Sequence, residues 1–247
     1  RYGDFKARIS GYYTRIYDQS KVISYYDDVA ATFTNFAMSG IDKVHFGLEA
    51  AVSIPIYHTL ALNGAVSWGQ YTYDSNPYYL QTQDNSGDIV SDGYVYWKDF
   101  RVESTPQTAV NVGLSWRSNN NIYLSADFNY YNNMYLSMSP IYRTDAVITG
   151  GMAPGDIEHL RRQEKFDSAY TLNASIGKNW YIHRKYTLGF SLDVKNILNN
   201  QDIKTGGYEQ TRLSKNTETT VTTYQAFDSK YFYMFGTTYY LNLYFRF

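Results

Sequence analysis

Acidic and histidine side chains are the residues of this 247-residue sequence whose types could support metal binding or acid–base chemistry. The pair Asp27-Asp28 and the stretch 84–88 are acidic enough for calcium, but the second lacks the EF-hand spacing and its distal Glu. Cysteine is absent, and the histidines form no His-x-x-x-His pair that could bind zinc. These histidines are His45, His58, His159 and His183. No Gly-x-Ser-x-Gly or phosphate-binding glycine loop occurs, so we expect no enzyme, metal or cofactor.

Aromatic and cationic side chains in the polar segments are better candidates for binding a ligand. The aromatic candidates are Tyr78, Tyr79, Tyr94, Tyr96 and Trp97, and the cationic ones are Arg143, Arg161 and Arg162. Rings there could stack on sugars, haem, catecholates or peptide side chains, and the arginines could pair with an anion. Loop packing and interfacial anchoring are favoured for the aromatics, and a solvated loop or contact with lipopolysaccharide for the arginines.

Composition narrows the function classes. Lys plus Arg is 22 and Asp plus Glu is 23, so no basic footprint points to nucleic acid. Mean hydropathy is −0.46 and no run of about 18 apolar residues occurs, which excludes a transmembrane helix. No linker divides residues 1–247, so we predict one structural unit. The sequence does not begin with Met or a signal peptide, and is expected to be a mature form, a processed product or a fragment.

The elements that must position these side chains are strands, because apolar and polar residues alternate in eight segments. The clearest runs from Tyr233 to Phe247, and the others lie near 5–14, 44–54, 60–68, 110–116, 122–130, 170–177 and 186–195. Strands of soluble sheets usually have about 5–6 residues, whereas a tilted membrane-spanning strand needs about 9–11. The lengths favour an all-β, antiparallel transmembrane β-barrel over a soluble β-sandwich.

Long and short connections alternate between the predicted strands. Long polar connections are predicted at 18–42, 74–105, 136–168 and 198–231, and short turns at 55–57, 118–121 and 182–184. Outer-membrane barrels have short periplasmic turns and long extracellular loops. The last strand is therefore expected to end at the periplasmic side. Tyr and Trp near the strand ends predict two interfacial aromatic girdles.

Specific motifs resemble a known family. The terminal alternation of Tyr239, Leu241, Leu243, Phe245 and Phe247 resembles the signal that barrel-assembly machinery reads. The stretch Asp193–Asn199, with the sequence DVKNILN, resembles a strand end of TonB-dependent receptors. The stretches 12–18 and 40–49 resemble two strands and an intervening loop edge of the same receptors. The stretches 204–210 and 231–236 are similar to the Bacteroidota branch, whose receptors often carry an N-terminal carboxypeptidase-regulatory-like domain.

The resemblance implies a TonB-dependent receptor and active transporter of the Gram-negative cell outer membrane, a multi-pass barrel of 22 strands with an internal plug. This chain, 1–247, would be its last eight strands, without the plug and the earlier strands. Small inward residues such as Gly47, Gly113, Gly177 and Gly189 suit a wide lumen that something else fills. The implied partners are outer-membrane lipid and lipopolysaccharide, the rest of the barrel and plug, TonB, barrel-assembly machinery and a surface lipoprotein. The alternative is a standalone eight-stranded barrel for adhesion or surface interaction.

Overall fold

The computed structural model describes residues 5–28, 30–84, 86–103, 105–149, 157–158, 161–183, 185–216 and 223–247. The regular structure there is nearly all antiparallel β, as predicted. The strands are β1 (Lys6–Asp27), β2 (Thr32–Tyr57), β3 (Leu60–Tyr73), β4 (Tyr78–Gln83), β5 (Ile89–Tyr94), β6 (Thr108–Arg117), β7 (Ile122–Asn132), β8 (Ala169–Ile182), β9 (Tyr186–Lys195), β10 (Lys204–Tyr208), β11 (Leu213–Asn216), β12 (Thr223–Ala226), β13 (Lys230–Tyr233) and β14 (Thr238–Arg246). A 3-10 helix (Ile141–Arg143) and α1 (Asp145–Thr149) lie between β7 and β8. Within these ranges, no helix has the length and apolar character needed to cross a membrane.

One sheet contains the eight alternating segments in chain order. It runs β1, β2, β3, β6, β7, β8, β9, β14, and each strand is antiparallel to the next. Short connections join β2 to β3, β6 to β7 and β8 to β9 at one end. The two outermost strands, β1 and β14, do not pair with each other in the part of the chain described, so the sheet is open there.

One face of this sheet, which we call the apolar face, carries continuous rows of large apolar side chains. The register places one row across six strands: Leu60, Trp116, Leu124, Ile176, Leu192 and Leu241. These side chains are not covered, since Leu124 is 41% exposed and Leu241 is 59% exposed. The strand periodicity read from the sequence therefore predicted which residues share a face, and neither buried core of the described residues includes this row.

The opposite, polar face is held together by hydrogen bonds between side chains on neighbouring strands. Ser53 donates to Asn63 at 2.9 Å, and Asn63 donates to Ser115 at 3.2 Å. A second ladder runs from Asn111 through Asn129 to Thr171, with donor–acceptor distances of 2.8 and 3.4 Å. These ladders satisfy polar groups across several strands.

Two glycines on the polar face pack directly against tyrosine rings from the next strand. A Cβ added to Gly177 would overlap the ring of Tyr123, and one added to Gly189 would overlap the ring of Tyr244. The tyrosine covers the glycine, a cross-strand arrangement that stabilises a sheet locally. The contact with a tyrosine ring thus explains why Gly177 and Gly189 are small. These two glycines are not by themselves evidence for a wide lumen.

The prediction of a loop at 18–42 is wrong, because β1 and β2 continue through it as one long hairpin. The segment 74–105 also contains a second hairpin, β4–β5, which extends the sheet from β2. The segment 198–231 contains β10, β11, β12 and the start of β13, which form the small ladders β10–β13 and β11–β12. The described parts of these three long connections therefore contain regular structure.

Two bulges that compensate each other divide the β1–β2 hairpin. Between the pairs Ile16–Lys43 and Gln19–Ile41, β1 advances three residues while β2 advances two. The reverse shift follows before the pair Lys21–Met38, so the original register returns. Asp18 and Gly40 at these points have φ of 54° and 72°, in the left-handed region. Each strand switches the parity of the residues that face each side.

The buried core lies at the end of the sheet that carries the long connections. The upper core consists of Phe36, Met38, Ile41, Tyr73, Tyr79, Val95, Trp97, Met138, Ile141, Tyr142 and Val147. A smaller core consists of Met134, Leu136, Phe166, Ala169 and Ile203. The parity switch is the reason that even-numbered Phe36 and Met38 enter the upper core, while even-numbered Leu48 lies on the apolar face. We call these two cores and the segments that form them the outer assembly. Burial of its apolar side chains stabilises it by the hydrophobic effect.

Candidate functional site

The five aromatic residues predicted as ligand-facing fall into two groups. Tyr79 and Trp97 are 1% and 2% exposed, and both belong to the upper core. The Tyr79 ring stacks on Phe36 with centroids 4.5 Å apart, and the Trp97 ring lies 4.8 Å from that of Tyr73. Both rings therefore act as packing residues of the upper core.

The other three, Tyr78, Tyr94 and Tyr96, reach the surface beside two carboxylates. Tyr78 donates its hydroxyl to Asp92, and Tyr96 donates its hydroxyl to Asp145. Asp145 also accepts the backbone N–H of Tyr94 at 3.2 Å. Each hydroxyl hydrogen bond raises the pKa of its tyrosine, because ionisation would remove the donor and place two anions together. The result is an exposed aromatic surface with fixed acceptor oxygens.

Arg143 is 2% exposed and forms a buried ion pair. Its Nη1 and Nη2 donate to the two carboxylate oxygens of Glu209 at 2.5 and 2.9 Å. Glu209 also accepts the backbone N–H of Ser139 at 2.8 Å. The fork-shaped pairing neutralises Arg143 and ties the 3-10 helix to the segment after β10. The Arg143 Nε has no hydrogen-bond partner in the described structure.

The remaining arginines differ in their pairing. Arg162 donates to Glu158, four residues earlier, at 2.5 Å, and both side chains are largely exposed. Arg161 is exposed and forms no ion pair with any residue of the described ranges. Of the three predicted arginines, Arg161 is therefore the one that has no ion-pair partner among the described residues.

A cleft of about 380 Å³ brings together residues from three parts of the chain. We call it the loop cleft. Its walls include Tyr96 and Phe100 after β5, Asp145 and Ile148 on α1, and Arg161. Arg143 lies at its base, with the guanidinium carbon 5.3 Å from the centroid of the Phe100 ring. Three of the eight predicted ligand-facing residues, Tyr96, Arg143 and Arg161, thus meet here.

The sequence analysis did not predict several residues that hold the outer assembly together. Glu209 is 66 positions from Arg143, and Arg212 pairs with Asp28 across 184 positions at 2.7 and 3.0 Å. Lys204 lies 3.8 Å from the Tyr231 ring centroid and donates to Glu164 at 3.0 Å. No local pattern links such partners. The sequence shows only that acidic and basic residues occur in different polar segments, and too many such combinations exist to predict which of them form ion pairs.

The acidic segments considered for calcium have other partners. Asp28 pairs with Arg212, whose hydrogen bond to the carboxylate lowers the pKa of Asp28. Asp84 accepts from the side chain of Asn35 at 2.6 Å. Among the residues that the structure describes, no group of three His, Asp or Glu side chains is placed to hold a metal ion.

The predicted assembly signal lies on the apolar face at the sheet edge. Its members Tyr239, Leu241, Leu243, Phe245 and Phe247 are 71, 59, 71, 56 and 92% exposed. They belong to β14 or follow it directly, and β14 pairs on one side only, with β9, in the described sheet. The pattern stays a prediction of recognition by the assembly machinery.

Comparison with known proteins gives little identity. No family model matches the chain, and no curated protein matches it. A solved structure of FpvA from P. aeruginosa, a TonB-dependent receptor, bound to a heterologous pyoverdine in an iron complex, shows a distant likeness. Sequence identity is 12%, the TM-score is 0.43, and the match covers 97% of this chain but 31% of FpvA. Likeness at this level supports no argument about function, and the inferences below rest on the sheet and the loop cleft.

Proposed function

We propose that this chain forms part of the wall and the outer loops of a TonB-dependent transporter in the outer membrane. The observation that carries the membrane part is the two-faced sheet: an uncovered apolar face and a hydrogen-bonded polar face on the same eight strands. A soluble sheet would bury its apolar rows against another layer. A sheet between lipid and an aqueous interior needs them uncovered.

Strand length supports the same interpretation. β3 and β8 have 14 residues each, β7 has 11, and β6 and β9 have 10. A tilted strand needs about 9–11 residues to cross the hydrocarbon layer. The cores lie beyond this region, at the end with the long connections, which would be extracellular.

The free edges favour a larger barrel over a standalone one. In the described structure β1 and β14 each leave one edge without a partner strand. Unpaired backbone groups are costly in hydrocarbon, so both edges need neighbours. Further strands would supply them in a 22-stranded receptor of the Bacteroidota type, whose plug would lie inside the barrel. Lipopolysaccharide, TonB, the assembly machinery and a surface lipoprotein are the partners this proposal implies.

Spin labelling tests the two faces directly. The sequence has no cysteine, so every introduced thiol is unique in this chain. We would label the matched pairs Leu243→Cys with Asn242→Cys, and Ile176→Cys with Ser175→Cys, in the full-length protein in liposomes. Labels at 243 and 176 are expected to be relaxed by oxygen, and those at 242 and 175 to be shielded from it. Equal oxygen accessibility on both faces would contradict the membrane assignment.

Transport needs separate tests. Intact mass of the native polypeptide is expected to be several times 28.6 kDa, and a mass near 28.6 kDa would contradict the 22-stranded assignment. Spent medium would then be compared for cells with the intact gene, without it, and without TonB. Loss of depletion of the same nutrient in both deletion strains supports transport. Unchanged depletion in both contradicts it.

A further inference from the structure

The loop cleft contains one acid and one base that do not pair with each other. Asp145 and Arg161 both line it, yet no ion pair or hydrogen bond joins them. Asp145 is oriented by two donors, the backbone N–H of Tyr94 and the hydroxyl of Tyr96. A carboxylate has about four acceptor positions, so it can accept further hydrogen bonds.

The other charges at the cleft are already neutralised. Arg143 at the base is bound by both oxygens of Glu209 at 2.5 and 2.9 Å. Because the charges of Arg143 and Glu209 neutralise each other, the cleft offers a ligand one negative group and one positive group, Asp145 and Arg161. The side chains of Tyr96, Phe100 and Ile148 also line it. A ligand with a single charge would satisfy only one of the two groups.

We infer that the loop cleft binds a small zwitterion with an apolar body, of which a short peptide with free termini is the class that fits. Its ammonium would meet Asp145 and its carboxylate would meet Arg161, while Tyr96 and Phe100 would contact an aromatic side chain. The volume of about 380 Å³ falls in the usual range of about 300–1,000 Å³ for small-molecule sites. This assignment rests on the proposed function, for which it names the substrate class.

Calorimetry on the full-length protein in detergent tests the inference, with the tripeptide Ala-Phe-Ala as probe. We expect the free peptide to bind, and acetylation of its N-terminus or amidation of its C-terminus to weaken binding about fivefold each. Asp145→Asn should abolish the sensitivity to acetylation only, and Arg161→Gln the sensitivity to amidation only. This selective loss would not follow from a general disturbance of the loops.

Matched controls are available close by. Asp92→Asn changes a carboxylate that also accepts from a tyrosine hydroxyl but does not line the cleft, and Lys98→Gln removes an exposed cation outside it. Both should keep the full sensitivity to blocked termini. Absence of binding at millimolar peptide, or equal binding of the blocked and free forms, would overturn the inference. So would binding of glycerophosphoethanolamine in place of the peptide, which would indicate a lipid headgroup. The labelling and spent-medium results would stand in each case.

Discussion

The carboxylate of Asp42 accepts a hydrogen bond from the backbone N–H of Asp18 at 2.9 Å, and so ties together the two bulges of the β1–β2 hairpin. The backbone N–H of Asp42 in turn donates to Ser75 at 2.8 Å, and the Ser75 hydroxyl donates to the carbonyl of Gly40 at 2.6 Å. The residues that flank both bulges are therefore fixed by a short chain of side-chain contacts.

Asp42→Ala should loosen the hairpin above the bulges. Removing the acceptor leaves the Asp18 N–H without its protein partner, at a cost of about 1 kcal/mol in the free energy of unfolding. Hydrogen exchange of residues 21–27 should rise while that of β7 and β8 does not. Asp42→Asn keeps an acceptor oxygen and should behave like the parent protein. Equal exchange in the two variants would argue against a bulge-locking role.

Gly177→Ala should strain the polar face, because the added methyl group overlaps the ring of Tyr123. We expect a loss of about 1–3 kcal/mol in unfolding free energy, measured by urea titration in micelles. Tyr123→Ala in the same chain should recover part of the loss, since the cost comes from one contact. Gly206→Ala is the control, because its added Cβ would lie 3.5 Å from the nearest atom, which is an ordinary contact. Additive losses of unfolding free energy from the two substitutions would contradict direct packing of the Tyr123 ring on Gly177.

Leu243→Arg should be far more costly than Asn242→Arg. The first places a charge on the apolar face beside Phe190, and the second places it on the polar face beside Ser191. An arginine facing lipid near the bilayer centre costs about 2–4 kcal/mol. Folding yield and unfolding free energy in liposomes would measure the difference. Thr238→Arg should likewise be mild, and similar losses on both faces would refute the assignment of the apolar face.

Glu209→Gln should destabilise the outer assembly by about 3–5 kcal/mol, because it leaves the buried Arg143 charge without its partner. The double variant Arg143→Met with Glu209→Leu removes both charges and should cost less than either single charge removal. Thermal unfolding followed by tryptophan fluorescence would report the change, since Trp97 lies in the same core. A double variant as unstable as the sum of the singles would contradict this explanation.

The pKa of Asp28 should rise when its partner is removed. In the folded protein the hydrogen bond from Arg212 lowers it below the ordinary value. A carboxyl with a lowered folded pKa adds stability above its unfolded pKa, about 3.9, and loses it as the pH falls through the folded pKa. A carboxyl NMR titration should therefore show a higher pKa in Arg212→Gln than in the parent. An unchanged value would mean that the ion pair does not form in solution.

Strand alternation was visible in the sequence because each of the eight segments keeps one period over at least seven consecutive residues. The hairpin above the bulges was missed for a physical reason. Asp18 and Gly40 adopt left-handed backbone conformations at bulges that insert one extra residue in each strand, so the strands change parity there. The alternation is also interrupted at the bulge of β2 by Ser39, Gly40, Asp42 and Lys43, and a pattern search reads such an interruption as the end of a strand.

The candidate site was predictable in part. Tyr96 and Arg161, which line the loop cleft, were among the eight residues that the sequence proposed, because both lie in long polar segments beside other aromatic or cationic residues. That Tyr79 is buried while Tyr78 is not follows from their opposite faces on β4, a strand that the sequence did not reveal. The pairing of Arg143 with Glu209 depends on how two distant connections fold together, and no local pattern encodes it.

The two compensating bulges let one continuous β1–β2 ladder place even-numbered residues of β2 in two different environments. Below them the hairpin presents even-numbered β2 residues such as Leu48 to its outer side, and above them it turns even-numbered Phe36 and Met38 toward protein. Deleting the one extra residue of β2 would change the parity of that strand above the deletion, so Phe36 and Met38 would turn away from the core that they now fill. Two single-residue insertions therefore decide which side chains of the upper hairpin are buried.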